Sequence, residues 1–325
     1  MHSMELQPLI RGLTDLEISS CLITKKGTAV LEYYDEPQTA AELSKINSCT
    51  KSVLAALISI AIDQHIVPSP HTPILEFFPQ VGQDSDLRKR QITLAHLLTM
   101  SSGFNWTEFG GQNSFPTMTK TADWVQFVLS QPLADSPGTR MVYNSGNSQL
   151  LSAVLRQATG QSVAKFAEDR LFQPLGITDY RWDTDPQGIH TGGFGLYLKP
   201  QDMSTFGQFY LQQGRWEGEQ IITSATVQHS TSPLIEVNPP HTGFYGWHWW
   251  ISSFSSGIEH QDEVVYHYAR GFGGQFIFVV PSYELVCVIT KNKHRKKSAP
   301  VDVFRQYIVP HFLYQGGRYD EQILE

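Results

Sequence analysis

The most apolar stretch of the chain is Ser52-Val53-Leu54-Ala55-Ala56-Leu57-Ile58-Ser59-Ile60-Ala61-Ile62, and it follows directly on Ser48-Cys49-Thr50-Lys51. A run with so few polar residues predicts a buried helix. Asn47 is placed to cap it, and it ends near His65, ahead of the breaker Val67-Pro68-Ser69-Pro70. Ser48 then falls in the first turn with Lys51 three residues on, and positions i and i+3 are neighbours on one helical face. A lysine at the mouth of such a run is largely buried. Burial favours the neutral amine and lowers its pKa, and a neutral amine can accept a serine proton. A hydroxyl beside an amine is what a serine hydrolase needs when it has no histidine base.

The Ser-x-x-Lys spacing alone is weak evidence, because the chain carries it twice. In the second copy, Ser162-Val163-Ala164-Lys165, Ser162 follows Gly160. It reads as a helix cap, with Lys165 in solvent. Other chemistries find less support. The twelve histidines are scattered, with no His-Glu-x-x-His and no Gly-x-Ser-x-Gly. No metal or organic cofactor is expected. His96, inside a predicted helix, reads as structural.

A net charge of −7 argues against nucleic acid or an anionic membrane as the main partner. The basic run Lys291 to Lys297 reads as a solvated loop. Cys21, Cys49 and Cys287 fit no zinc spacing and demand no disulfide, and Cys21 and Cys287 sit in strand-like apolar runs. The first residues, Met1-His2-Ser3-Met4-Glu5-Leu6, do not resemble a signal peptide, and no stretch reaches the length of a transmembrane helix. The expectation is a cytoplasmic protein. Nothing in the sequence sets an oligomeric state.

Strands are predicted over Ile18–Thr24 and Thr28–Tyr34, joined by Lys25-Lys26-Gly27. Helices follow over Ile92–Met100, Thr121–Leu133, Ser145–Gly160, Ser162–Phe172 and Gln201–Gln213, with Val227–Pro240 irregular. Strands return over Trp247–Ser252, Val264–Tyr268, Gln275–Val280 and Leu285–Thr290, before a closing helix over Val301–Leu313. This order predicts an α+β fold with one antiparallel sheet built from both ends of the chain and flanked by helices. It would be a single catalytic unit over 1–325, with a sheet part from 11–66 and 241–325 and a mainly helical insert over 67–240.

Two further segments carry chemistry. In Gly138-Thr139-Arg140-Met141-Val142-Tyr143-Asn144-Ser145, a tyrosine stands just before a helix start, with a hydroxyl two residues on. A phenol near a cationic lysine can pass a proton to a leaving group. The plainer alternative is a half-buried aromatic followed by an N-cap serine. In Tyr268-Ala269-Arg270-Gly271-Phe272-Gly273-Gly274-Gln275, glycines would let a strand edge approach a substrate closely. A backbone N–H from that edge, with that of Ser48, would make an oxyanion hole. The alternative is a glycine-rich turn. The aromatic cluster Tyr245 to Trp250 reads as core, with walling of a pocket as the second possibility.

Together, in this order and spacing, these segments resemble the serine β-lactamase-related family of class C β-lactamases, penicillin-binding carboxypeptidases, esterases and nylon-oligomer (6-aminohexanoate dimer) hydrolases. The resemblance runs from roughly Ile18 to Leu313 and takes in Leu97 to Gly103, Gly192 to Met203 and Arg270 to Pro281. It implies the β-lactamase/transpeptidase-like fold, with Ser48 as the acylated nucleophile, Lys51 as its proton partner and Tyr143 as the tyrosine of the Tyr-x-Asn motif. Ser145 stands where that motif has asparagine, as is similar in the nylon-oligomer hydrolases. Ala269-Arg270-Gly271 stands where the family carries Lys-Thr-Gly or His-x-Gly, leaving Arg270 as the cation available to a substrate carboxylate. The amides of Ser48 and Phe272, beside Gly271, would form the oxyanion hole. The implied substrate is a small ester, amide or β-lactam. A carboxylesterase or amidase is favoured over a β-lactamase or D-Ala-D-Ala carboxypeptidase by the altered third motif, and over a non-catalytic ligand-binding relative by the presence of Ser48, Lys51 and Tyr143 together.

Overall fold

The computed structural model of the chain describes residues 6–239, 241–255, 263–292 and 303–312. Its organising element is an eight-stranded antiparallel sheet. Two strands come from the start of the chain, β1 (Ser20–Lys25) and β2 (Thr28–Tyr34). Six come from the end: β3 (Ile235–Glu236), β4 (Phe244–Tyr245), β5 (Trp250–Phe254), β6 (Val264–Gly271), β7 (Gln275–Val280) and β8 (Leu285–Thr290). The spatial order is β2-β1-β8-β7-β6-β5-β4-β3. The two ends of the chain meet where β1 lies on β8, with Cys21 opposite Ile289 and Ile23 opposite Cys287. The β1–β2 turn carries Lys26 at φ 51° and Gly27 at φ 73°. Two consecutive left-handed residues suit the twist of a tight hairpin.

Side chains alternate across the sheet and build a core on each face. Leu22, Ile277, Val279, Val286 and Val288 point to the side of the helices Thr50–Asp63, Ser145–Thr159 and Pro200–Leu211. Cys21, Ile23, Phe276, Phe278, Cys287 and Ile289 point to the other side. There they meet Leu9 and Leu13 of the Gln7–Asp15 helix, together with Phe304 and Ile308 near the end of the described chain. Cover on both faces explains why β7 and β8 read as unbroken apolar runs rather than alternating ones.

β2, β7 and β8 lie where the sequence places them, and β6 runs on to Gly271. The strand expected over Trp247–Ser252 begins only at Trp250. The segment expected to be irregular, Val227–Pro240, begins inside the helix Ser224–Ser230, which the Thr223 side chain caps, and goes on to hold the short strand β3. The basic run is not solvated at its start. Lys291 is buried, and its Nζ donates to the Leu16 carbonyl at 2.9 Å. The rest of that run, from Lys293, lies outside the described residues. Among the described residues no helix is long and apolar enough to cross a membrane.

Two backbone anchors hold the segment that enters the buried helix. Ser44–Lys45 pairs with Leu196–Leu198, and the Ile46 N–H donates to the Leu196 carbonyl at 3.0 Å. From the opposite side the end of β6 presses in so closely that a Cβ on Gly271 would stand 2.3 Å from the Ile46 carbonyl oxygen. Only glycine permits that approach.

Candidate active site

Between these anchors the chain turns sharply. Asn47 takes φ 48°, and Asn47–Cys49 form a single 3₁₀ turn that runs straight into the Thr50–Asp63 helix. Ser48 therefore sits in the turn before the α-helix, not in its first turn. Asn47 is not a side-chain cap either. Its carbonyl accepts from Thr50 Oγ1 at 2.6 Å, while its side-chain amide donates to the Phe272 carbonyl at 2.7 Å. That second bond spends the side chain on tying the Ser48 turn to the end of β6.

Lys51 is 1% exposed. Its Nζ donates to Gly193 O at 2.8 Å, to Ser145 Oγ at 2.9 Å and to Ser48 Oγ at 3.2 Å. Burial pulls its pKa down to about 8, against the opposing influence of Glu108 and Cys49. Tyr143 lies beside it, with the Lys51 Nζ 4.8 Å from the ring centroid. Burial and the nearby Glu108 push the phenol above its usual range, and a hydrogen bond with Ser48 pulls it the other way. The Tyr143 ring stacks on Trp250 at 5.7 Å and meets Tyr245 edge-on.

Asn144 caps the Ser145–Thr159 helix by accepting from the N–H groups of Gly146 and Asn147. This leaves Ser145, the first helical residue, free of the capping role. Its hydroxyl faces Lys51 on one side and Glu108 on the other. The Ser145 hydroxyl donates to Glu108 Oε1, and its backbone N–H donates to Oε2 at 2.9 Å. Trp106 Nε1 also donates to Glu108 Oε2, at 2.8 Å.

The structure brings Ser48, Lys51, Tyr143 and Ser145 together, and sets Gly271 and Phe272 against the Ser48 turn through Ile46 and Asn47. Arg270 joins at one remove, its guanidinium 6.0 Å from the Trp250 ring on which Tyr143 stacks. The second copy of the motif is remote from this cluster. Ser162 Oγ caps a helix, and Lys165 pairs with Asp169 at 2.6 Å on the surface. His96 closes a capping box with Thr93. The aromatic cluster is core, with Tyr245, Trp247, Trp249 and Trp250 all buried, and Tyr245 and Trp250 reach the site through the Tyr143 ring.

Sequence pattern did not point to Glu108 or Gly193. Gly193 lies within the resemblance but carries no chemical signal, since it contributes a carbonyl. A Cβ there would stand 3.1 Å from both Lys51 Nζ and Ser145 Oγ. Glu108 has one usable signal: it is the only acidic residue between Ser101 and Ala122, and it stands between Trp106 and Phe109.

A buried amine against a hydroxyl, with a phenol beside both, can deprotonate the hydroxyl and return the proton to a departing group. A family model described as Beta-lactamase matches residues 10–307. Monacolin J acid methylbutanoyltransferase from Aspergillus terreus is 31% identical over 116 residues, which are 33% of this chain and 27% of that protein. Esterase EstB from Burkholderia gladioli is 29% identical over 157 residues, 44% of this chain and 39% of that protein. The matched part thus spans well under half the length of either relative. A solved structure from Bacillus anthracis, provisionally named a 6-aminohexanoate-dimer hydrolase, superposes with TM-score 0.77 over 93% of this chain and 80% of its own, at 19% identity, and shares the fold. With its sheet, its helices and its matched length, the chain belongs to the Beta-lactamase family.

Proposed function

We propose that the protein is a carboxylesterase or amidase that works through an acyl-enzyme on Ser48. The observation that carries this reading is the buried Lys51 amine within 3.2 Å of the Ser48 hydroxyl. Lys51 takes the serine proton as the alkoxide attacks the ester or amide carbonyl. The N–H groups of Ser48 and Phe272 receive the oxyanion; losing one such donor typically costs roughly 10²–10³ in rate. Tyr143 passes the proton to the leaving group, and water activated by the Lys51–Tyr143 pair then releases the acid.

The mouth of the site favours an apolar substrate end. Phe109 and Phe272 are 72% and 71% exposed, and their rings face each other at 6.2 Å. Phe109 follows Glu108, which bonds Ser145, and the Phe272 carbonyl accepts from Asn47 beside Ser48, so both phenylalanines belong to segments tied to the site. Two exposed aromatics standing together mark a binding surface rather than core. The third-motif segment offers Arg270 half-buried among aromatics in place of a lysine or histidine, which supports an ester or amide over a β-lactam.

Incubation with p-nitrophenyl acyl esters and, separately, with a fluorescent penicillin, followed by intact mass, tests the reading. Turnover of the esters with transient acylation of Ser48 and no stable penicillin adduct is expected. A long-lived penicillin adduct on Ser48 would point instead to a penicillin-binding activity. Equal ester turnover by Ser48→Ala would remove Ser48 from the mechanism.

A further inference from the structure

Lys51 as an ammonium has three N–H donors, and three acceptors surround it: Gly193 O, Ser145 Oγ and Ser48 Oγ. As a neutral amine it keeps two donors and gains one lone pair. A carbonyl oxygen cannot donate, so the position facing Gly193 O must hold an N–H. Ser145 is different, because a hydroxyl both donates and accepts. Left alone it could turn its proton toward Lys51 and draw the lone pair to itself. Glu108 prevents this by taking that proton on Oε1. The carboxylate is itself oriented by the Ser145 N–H at 2.9 Å and the Trp106 indole N–H at 2.8 Å, both on Oε2. With Gly193 and Ser145 both held as acceptors, the lone pair is left only the third direction, toward Ser48 Oγ.

We propose that Glu108 is a positioning residue that aims the Lys51 lone pair at the Ser48 hydroxyl by holding Ser145 as an acceptor. The proposal rests on the acyl-enzyme reading above. In the proton step, the Ser48 O–H bond breaks as an N–H bond forms on Lys51, and the ammonium so formed finds its three acceptors already in place. Glu108 does not touch the reacting atoms.

The charge of Glu108 has a second effect, which separates this role from a merely structural one. The groups facing Lys51 are Cys49 behind it, Tyr143 and Ser145 across from it, Glu108 beyond Ser145, and His248, whose pKa burial and Lys51 together pull down to about 3. Arg270 acts on Tyr143. Glu108 is the carboxylate among them, and its charge favours protonated Lys51. Removing that charge makes Lys51 easier to deprotonate.

The test is the pH profile of p-nitrophenyl butyrate hydrolysis by Glu108→Gln. A glutamine keeps the size but can present an N–H to Ser145. Expected are a fall in the alkaline plateau of kcat on the order of 10²-fold, a KM close to wild type, and an acid limb moved about one unit to lower pH. An unmoved acid limb overturns the proposal, whether or not kcat falls. Should Glu108→Gln not fold, Ser145→Ala in the same assay, alone and with Glu108→Asp, decides the matter. A double variant no worse than Ser145→Ala supports a shared path, and additive losses overturn it. Absence of Ser48 acylation in the wild type would instead overturn the acyl-enzyme reading on which the proposal stands.

Discussion

Lys51 shows how one side chain ties stability to chemistry. Its pKa is near 8 in the folded protein against 10.5 when unfolded. Below pH 8 the folded state must hold a charge in a buried site, and this costs about 3 kcal/mol by linkage. As pH rises from 8 toward 10.5 the folded protein loses that proton first, so stability is gained. Comparing wild type with Lys51→Met by urea denaturation isolates the effect. Between pH 7.5 and 9.5 the wild type should gain about 2 kcal/mol relative to the variant. A constant difference would mean that Lys51 titrates normally. The sign for activity is the same, because a base must be neutral to act: ester turnover should rise through about pH 8. The lysine was legible in the sequence because burial follows from the apolar run behind it. Glu108 was not, because its role depends on a hydroxyl 37 positions away.

At the scale of elements, the Ser48 turn is held by contacts from two other parts of the chain. Leu196 supplies a backbone acceptor to Ile46, and its own N–H donates to Thr50 Oγ1 at 3.3 Å. The end of β6 supplies Gly271 and the Phe272 carbonyl. Gly271→Ala places a Cβ against the Ile46 carbonyl at 2.3 Å, a backbone atom that cannot rotate away. Either β6 or the Ser48 turn must shift. Because a displacement of about 1 Å at a reacting group can cost on the order of 10²-fold in rate, kcat for ester hydrolysis should fall by at least that much. A melting curve shows whether the fold itself survives. Unchanged turnover would mean that β6 does not set the position of Ser48. The glycine was visible as a need for close approach. What it approaches, the backbone just before Ser48 as well as any substrate, is a tertiary fact.

Across the whole molecule the site lies where the sheet meets the helical segments. Phe109 comes from the loop after Gly103 and Phe272 from the turn between β6 and β7, yet their rings meet at 6.2 Å. Replacing both with alanine should leave p-nitrophenyl acetate turnover within a few-fold of wild type. It should lower kcat/KM for an octanoyl ester by roughly 10–200-fold, the usual range for an apolar pocket contact. Equal losses on the short and long esters would show that the pair serves the fold instead.

Local pattern determined much of this protein. The apolar run demanded a buried helix, strand-length runs at both ends demanded a shared sheet, and a serine and a lysine three residues apart had to lie near one another. Those are statements about periodicity and burial, and they follow from neighbours in sequence. Whether Ser48-x-x-Lys51 or Ser162-x-x-Lys165 is the site could not follow from spacing, since the spacing is the same. Tertiary structure separates the two by surrounding one lysine with Gly193, Ser145, Glu108 and Tyr143 while leaving the other at the surface beside Asp169, and the proposed site rests on that difference. The physical reason is that a proton moves between atoms a hydrogen bond apart, and only folding brings residues 48, 108, 145 and 193 that close.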